Sequence, residues 1–326
     1  MKYFLTHGLI ALLISGCGDK EQEPSDMDTD KLSSSFQDKI ESDTGTKSEL
    51  PKMKTEDSGN STDGDQVPDE NSEELEDISK VSHIQAILMK ANPDYRGQGN
   101  IHEEGGTIVA AEFPSCGLRD LSPLRGLKLQ ALDLSGNPVR EIRHLRGMPL
   151  TRLFLEYTLV ESLKELREAK LVELRLNGSP VRSLSGLEGH PLENLYAVGT
   201  QINNISALAS SNLRQLWLTE SPVSDLSPLE GLPLVSLTAH RTLVEDLSFV
   251  RKLPLLQRLH IGETLIKDLS PLGGLNLTRL VFTPGRIERG LKVVRSLSNL
   301  REIGTKFDDQ GRDLMPPDAF WAQFKP

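Results

Sequence analysis

The side chains that most often perform chemistry in proteins are sparse and scattered in this chain. Its seven histidines share no regular spacing, and it has two cysteines, Cys17 and Cys116. A metal site needs ligands at short, regular spacings, and nucleophilic catalysis needs a serine or cysteine with a neighbouring base; neither pattern can be assembled. We therefore expect no catalytic site and no metal or other cofactor, and the sequence predicts a protein that is not an enzyme.

One acidic string, residues 61–72, has oxygen groups at a spacing that could wrap a calcium ion. It resembles thrombospondin type 3 calcium loops, in which aspartates recur at alternate positions, as Asp63 and Asp65 do here. Gln66, however, stands where such loops use a turn glycine, and serines stand where two carboxylates are expected. The alternative is a solvated acidic linker, and on that interpretation we predict no metal site.

The first 17 residues have the pattern of a secretory signal. Lys2 precedes a short apolar run that ends in Ile14-Ser-Gly-Cys17, well below the roughly 18 apolar residues that a spanning helix requires. The ending resembles a bacterial lipobox, which implies that Cys17 is lipidated after cleavage. No disulfide is then expected, and the place of Cys116 in the repeats predicts a small buried residue. An ordinary signal peptide with an incidental cysteine is the alternative. By the same resemblance, the absence of aspartate directly after Cys17 favours the outer membrane, with the protein periplasmic or exposed on the surface.

A leucine or an equivalent apolar residue returns every 21 residues along most of the chain. The positions, with one extra residue before Leu256, are Ile108, Leu129, Leu150, Leu171, Leu192, Leu213, Leu234, Leu256 and Leu277. Apolar columns also stand three, five, ten and thirteen residues into each coil. A unit of this length cannot bury its apolar face without a neighbouring copy, so the period predicts a solenoid.

The best-formed coil, Leu129-Gln-Ala-Leu-Asp-Leu-Ser-Gly-Asn-Pro-Val139, matches the pattern L-x-x-L-x-L-x-x-N-x-L. On this pattern residues 108–300 are identified as a member of the leucine-rich repeat family. The resemblance implies an α/β solenoid, a horseshoe with a parallel concave sheet and short 3₁₀ turns on its convex side. Phrases such as Leu121-Ser-Pro-Leu-Arg-Gly-Leu127 also resemble bacterial lipoproteins of this family from planctomycetes and their relatives, the lentisphaerae among them.

Two further columns describe the turns. Eight residues into each coil the family usually has asparagine, but here hydroxyls dominate: Cys116, Asn137, Thr158, Ser179, Thr200, Ser221, Thr242 and Thr264. A hydroxyl can donate to a nearby carbonyl, so we expect a ladder with smaller rungs. Return segments such as Leu121–Leu124 read Leu-Ser-Pro-Leu, which predicts serine as the N-cap and proline at the first position of a short helical turn.

Most candidate binding residues come from the column four residues into each coil, and Tyr157, His240 and Arg241 lie beside it, six or seven residues into their coils. The side chains of that column point away from the core because the residues before and after it are apolar. From Phe154 through Arg175 and Tyr196 to Trp217 this column would form one exposed row about 15 Å long, at about 4.8 Å per strand. Aromatic rings and arginine dominate interface hot spots. The predicted site is Phe154, Tyr157, Arg175, Tyr196, Trp217, His240, Arg241 and His260; an arginine stacked between rings as a self-contained structure is the alternative.

The chain outside the repeats differs in composition. Residues 18–80 contain 20 acidic and 7 basic side chains, a net charge of −13, whereas residues 81–326 sum to +2. The sequence predicts a disordered acidic linker at 18–73, an N-terminal cap of a helix and a hairpin at 74–107, a helix at 290–299 and a C-terminal cap at 301–326. Nucleic acid is not an expected partner, because its recognition needs a concentrated basic stripe.

These observations predict a leucine-rich repeat protein of the cell envelope, attached to the membrane through its N-terminal lipid. Its concave face is expected to mediate protein–protein interaction. The alternative function is a structural envelope spacer without one specific ligand. A third class, an enzyme or enzyme subunit with catalysis elsewhere, would show an activity that no residue named above explains.

Overall fold

The computed structural model describes residues 80–306 and 313–324. The predictions for the signal peptide, Cys17, the acidic linker and the calcium-like string fall on residues 1–79 and lie outside the described residues. The described part begins with helix α1 (Lys80–Ala91), followed by the hairpin of β1 (Asn100–Glu104) and β2 (Thr107–Glu112).

The described strands form one sheet in chain order. Strands β1 and β2 pair antiparallel, and every later pair is parallel. Each coil contributes one three-residue strand: β3 (Ala131–Asp133), β4 (Arg152–Phe154), β5 (Glu173–Arg175), β6 (Asn194–Tyr196), β7 (Gln215–Trp217), β8 (Ser236–Thr238), β9 (Arg258–His260), β10 (Arg279–Val281) and β11 (Glu302–Gly304). The register pairs Leu174 with Leu195, and Leu195 with Leu216. The 21-residue spacing of the sequence is therefore the spacing of the strands.

The core lies beneath this sheet and runs through all coils. Leu195 of β6, at the third offset, is 0% exposed, as is Ala197 just after the strand, at the fifth. The central leucines of the strands from Leu132 to Leu280 are likewise buried. Burying one such side chain stabilises the fold by about 1.5 to 3 kcal/mol, and each coil depends on both neighbours for it.

The predicted hydroxyl-to-carbonyl bonds are present, but they lie within single coils and do not form the expected ladder between coils. Thr158 Oγ1 donates to the Leu155 carbonyl at 2.8 Å, and Ser179 Oγ donates to Leu176 at 2.6 Å. Four further coils repeat this contact, at Thr200, Ser221, Thr242 and Thr264. Asn137 differs, because its longer side chain also accepts the Leu118 N–H of the preceding coil. Serine and threonine thus close their own turn, whereas asparagine joins two turns.

Short 3₁₀ turns follow most strands, as predicted: Ser122–Leu124, Arg143–Leu145, Lys164–Leu166, Ser206–Leu208, Ser227–Leu229, Ser248–Lys252, Ser270–Leu272 and Pro284–Arg286. The predicted serine N-cap is wrong. Ser122 is the first residue of its turn, and the carboxylate of Asp120 accepts its backbone N–H at 2.8 Å. Asn204, Asp225, Asp246 and Asp268 make the same contact two residues before their serines. The side chain that satisfies the turn is the Asx residue, which favours local bonds of this kind.

The C-terminal end of the sheet is covered by aromatic residues. Helix α2 (Leu291–Arg295) is shorter than the predicted helix at 290–299. Helix α3 (Pro317–Gln323) places Phe320, 0% exposed, 5.8 Å from the ring of Phe282. Trp321 is half-buried, with the guanidinium of Arg295 4.6 Å from its ring centre. Within 80–306 and 313–324, no helix is both long enough and apolar enough to cross a membrane.

Candidate functional site

The four residues predicted to stack on the sheet do lie in one line. Phe154 pairs with Arg175, Arg175 with Tyr196, and Tyr196 with Trp217, each as the third residue of its strand. We call these four residues the concave row. Along the sheet, Thr238 and His260 follow Trp217 in the same register.

Phe154 and Arg175 form the first half of the concave row, which we call the closed half because their side chains are occupied by contacts within the protein. The Arg175 guanidinium carbon lies 4.3 Å from the ring centre of Phe154 and 5.3 Å from that of Tyr196. The same guanidinium donates to Glu173 through Nε at 2.9 Å and Nη2 at 2.8 Å, and its side chain is 15% exposed. Arg175 therefore has partners on both faces and at its edge.

The prediction that Phe154 is exposed is wrong, because it is 5% exposed. Arg175 of the next strand folds over its ring and covers it. The spacing of the sequence shows which column a residue occupies, but not where a long neighbouring side chain will lie. Phe154 therefore supports Arg175 more than it presents a surface of its own.

Tyr196 and Trp217 form the second half of the concave row, which we call the open half because both residues are more exposed than Phe154, although Arg175 is partly exposed as well. Tyr196 and Trp217 are both half-buried, and their rings meet edge to face at 5.4 Å and 70°. The Tyr196 hydroxyl donates to Gln215 Oε1 at 3.2 Å. Burial raises the pKa of Tyr196, and the nearby Glu173 carboxylate adds to that effect. This half therefore offers two neutral rings with a hydroxyl that stays protonated.

A half-buried carboxylate beside the row was not predicted. Asn177 Nδ2 donates to Glu156 Oε1 at 2.6 Å, and the Val198 N–H donates to Asn177 Oδ1 at 3.0 Å. Burial raises the pKa of Glu156, although Arg175 and Asn177 act to lower it. The available signal was that Glu156 and Asn177 occupy the same place in consecutive coils, two residues after the concave row.

Tyr157 is placed at the rim of the sheet in an unusual backbone conformation. It has φ 54°, in the left-handed region that non-glycine residues rarely adopt, and it is 63% exposed. Its ring lies against Gly178, where an added Cβ would be 2.5 Å from Tyr157 Cδ1. The glycine thus allows an exposed aromatic ring to lie flat on the next coil.

The two predicted histidines form a pair, but they do not present an open surface. Their ring centres are 5.3 Å apart, and His240 is 3% exposed while His260 is half-buried. The expectation that His240 lies on the surface is therefore wrong. Burial lowers the pKa of His240; for His260, burial, then His240 and Arg279, lower the pKa to about 3. Both rings are uncharged at neutral pH.

Arg241 is exposed and already paired on both sides. Its Nη1 lies 2.8 Å from Glu220 Oε1, and its Nε lies 2.9 Å from Glu263 Oε2. The three residues occupy one position in consecutive coils, which is the signal that could have predicted them. Exposed pairs of this kind contribute little to stability. Across the described ranges, no group of three or more potential ligands could hold a metal ion.

Comparison with solved structures agrees with this architecture. An internalin from Listeria monocytogenes aligns with a TM-score of 0.55 and 25% identity over 60% of this chain and 61% of its own. Internalin C2 of the same organism gives the same TM-score and identity over 61% of this chain and 92% of its own. The fold is that of a leucine-rich repeat protein. The chain thus matches about three fifths of the first of these two proteins.

No protein-family model and no curated protein sequence matches the chain. What can be said of this leucine-rich repeat protein beyond its fold therefore depends on its own surfaces. Its sheet brings Tyr196 and Trp217 together and places Tyr157 at the rim. His240 and Arg241 follow Thr238 in the coil next to that of Trp217.

Proposed function

We propose that this leucine-rich repeat protein binds a protein partner on its concave face, with Tyr196 and Trp217 at the centre of contact. The observation that carries this proposal is the open half of the concave row, where two neutral rings are half-buried on a rigid sheet. Solenoids present extended concave surfaces of this kind to their partners. Tyrosine and tryptophan are also the residue types that most often dominate binding energy.

The closed half supports the open half. Arg175 touches Tyr196 on one face and is fixed by Glu173 at its edge. Tyr196 is therefore positioned before any partner arrives, so binding requires little further ordering of the ring. Affinity is greater when the contacting groups are already ordered in the free protein. Phe154 contributes indirectly, by packing on the far side of Arg175.

Site-specific photo-crosslinking in the native cell tests this proposal. A benzophenone amino acid is placed at position 217 of the full chain and, in a second strain, at the exposed convex position 203. We expect a discrete protein adduct from position 217 and none of that mass from position 203. Adducts that form equally at both positions, or at position 203 alone, would contradict binding through the concave face. A structural spacer would give no discrete adduct at position 217.

We further propose that the protein is held in the cell envelope by lipid on Cys17, in the outer membrane. The support is the Ile14-Ser-Gly-Cys17 sequence and the glycine that follows it. Metabolic labelling with a fatty acid should label the wild type and leave Cys17→Ser unlabelled, with the variant released from the membrane fraction. Equal labelling of both proteins would exclude Cys17 as the attachment point.

A further inference from the structure

The first two return segments, residues 114–128 and 135–149, carry an excess of positive charge. They contain six basic side chains, Arg119, Arg125, Lys128, Arg140, Arg143 and Arg146, and two acidic ones, Asp120 and Glu141. Both carboxylates are already engaged. Asp120 accepts the backbone N–H and hydroxyl of Ser122 at 2.8 and 2.9 Å, and Glu141 lies 2.9 Å from Arg143.

Three of these arginines line one cleft. Arg119, Arg140 and Arg143 surround a volume of about 330 Å³, together with His144 and the two carboxylates named above. Arg119 reaches the carboxylate of Asp94 at 3.8 Å, with both side chains about two-thirds exposed, which is a weak pair. Within the described residues, Arg140 makes no hydrogen bond or ion pair. The guanidinium groups of Arg119 and Arg140 therefore retain donors that face solvent.

Behind the cleft, donors converge on a buried neutral ring. His144 is 9% exposed, and Arg125 Nε and Nη2 lie 3.3 and 3.1 Å from its Nδ1. Arg143 Nε lies 3.4 Å from the other ring nitrogen. A neutral imidazole accepts at one nitrogen only, so only one of the two guanidinium groups can donate a hydrogen bond to this ring. Burial, then Arg125 and Arg143, lower the pKa of His144, and the nearby carboxylates of Asp120 and Glu141 offset this lowering only in part.

The same position in later coils shows how such charges are normally balanced. The column that contains Arg119 and Arg140 continues with Glu161 and Arg182, which have opposite charges and lie 3.9 Å apart, although this pair is as exposed, and therefore as weak, as that of Arg119 with Asp94. Lys267 and Glu288 pair in the same way at 2.8 Å further along. In this column, the first two members, Arg119 and Arg140, are the only neighbours that have the same charge. Like charges on neighbouring coils repel unless an anion lies between them.

We propose that the cleft of Arg119, Arg140 and Arg143 binds a phosphate group. Each guanidinium presents a planar fork of donors, and a single carboxylate satisfies one fork. Arg119 and Arg140 belong to adjacent coils, so their side chains leave backbones that are about 5 Å apart. A tetrahedral oxyanion has enough oxygens to accept hydrogen bonds from both of these guanidinium groups and one more from Arg143. The phosphate group is either free inorganic phosphate or the headgroup of an anionic phospholipid, since the recognised chemistry is the same.

Titration of the full chain with inorganic phosphate, at ionic strength held constant with sodium chloride, tests the proposal. We expect the dissociation constant to rise at least about tenfold in Arg140→Gln and in Arg119→Gln, because each loses charge-assisted hydrogen bonds. Arg182→Gln is the matched control, since this arginine occupies the same column but is paired with Glu161; its dissociation constant should stay within about twofold of wild type.

Folding is checked in the same proteins. Without phosphate, Arg140→Gln should melt near the wild-type temperature, because it removes both a repulsion from Arg119 and an attraction to Glu161 of the next coil. Phosphate binding that is no stronger than chloride binding, or that survives unchanged in both Arg140→Gln and Arg119→Gln, overturns the proposal. Loss of binding in Arg182→Gln to the same extent also overturns it, because the effect would then be general electrostatics.

Vesicle flotation separates the two sources of phosphate. Full-length wild type and Arg140→Gln are compared on phosphatidylcholine vesicles with and without phosphatidic acid. If the headgroup is the ligand, phosphatidic acid increases wild-type binding and the increase is lost in Arg140→Gln. If phosphatidic acid has no effect while inorganic phosphate binds, the site serves a free phosphate. An increase that Arg140→Gln retains in full would contradict the headgroup as the ligand of this cleft.

Discussion

The two halves of the concave row occupy the same strand position in four consecutive coils, yet they differ in what they leave accessible. Arg175 is sandwiched between two rings and bonded to Glu173, and Phe154 beneath it is 5% exposed. Tyr196 and Trp217 meet edge to face and stay half-buried. Periodicity determines which column a residue belongs to. The side chain one coil away determines whether that residue is covered or stays exposed to a partner.

The difference has an electrostatic cause. A guanidinium can lie over a ring on each side, and Glu173 and Glu156 supply negative charge next to Arg175. Trp217 is followed by Thr238, a short side chain that cannot cover a ring in the same way. The closed half is therefore expected to affect folding most, and the open half to affect binding most.

The largest expected effect concerns the core beneath both halves. Leu195→Asp places a charge in the 0% exposed column of β6, and an unpaired buried charge costs several kcal/mol, so we expect the cooperative thermal transition to disappear. Asn194→Asp, one residue earlier on the outward side of the same strand, should melt near the wild-type temperature. An unchanged transition in Leu195→Asp would contradict the assigned register.

The closed half should be the more important for stability. Arg175→Ala unstacks two rings and leaves Glu173 without its partner, so the free energy of unfolding should fall by about 2 kcal/mol. Arg241→Ala is the matched control, because that arginine also lies between two glutamates but is about half exposed; a loss of about 0.5 kcal/mol or less is expected. Chemical denaturation measures both. Equal losses would remove the distinction between the two environments.

The rim beside the closed half depends on one glycine. Gly178→Ala should cost about 1 kcal/mol for its left-handed backbone and about 1 kcal/mol more for the displaced Tyr157 ring. Gly231→Ala separates the two costs, since Gly231 also has a positive φ but an added Cβ there meets nothing within 4 Å. The two melting temperatures are compared. If the two variants lose the same stability, Tyr157 does not pack on Gly178.

The histidine pair beyond Trp217 predicts the direction of a pH effect. Folded His260 has a pKa of about 3 against 6.5 for the ordinary group, so the unfolded chain binds a proton that the folded chain does not. The contribution of neutral His260 to the free energy of unfolding is fully present above about pH 6.5, and it is lost as the pH falls toward 3. Melting at pH 7.5 and 5 should show this decrease in wild type and a smaller one in His260→Gln. His83→Gln, on the exposed side of α1, should retain the wild-type decrease.

The sequence was sufficient for features that depend on spacing alone, and insufficient for those that depend on side-chain conformation. The 21-residue period places Leu174 and Leu195 in register, and the hydroxyl column follows from the same counting. The contact of Arg175 with Phe154 could not be predicted from residue spacing, because a long side chain can lie against any of several neighbours. The Asx residues that precede five of the eight turns were visible, four of them as a recurring Asp-Leu-Ser such as that at Asp120, but serine was assigned their role.

Affinity for the partner captured at position 217 tests the central claim most directly. Titration calorimetry compares the wild type with Trp217→Ala and Phe154→Leu, each checked for an intact thermal transition. Trp217→Ala should weaken binding about thirtyfold, the equivalent of about 2 kcal/mol, whereas Phe154→Leu should change affinity by less than about threefold while lowering the melting temperature. The opposite order, with Phe154→Leu losing more affinity than Trp217→Ala, would contradict the assignment of the open half as the binding surface.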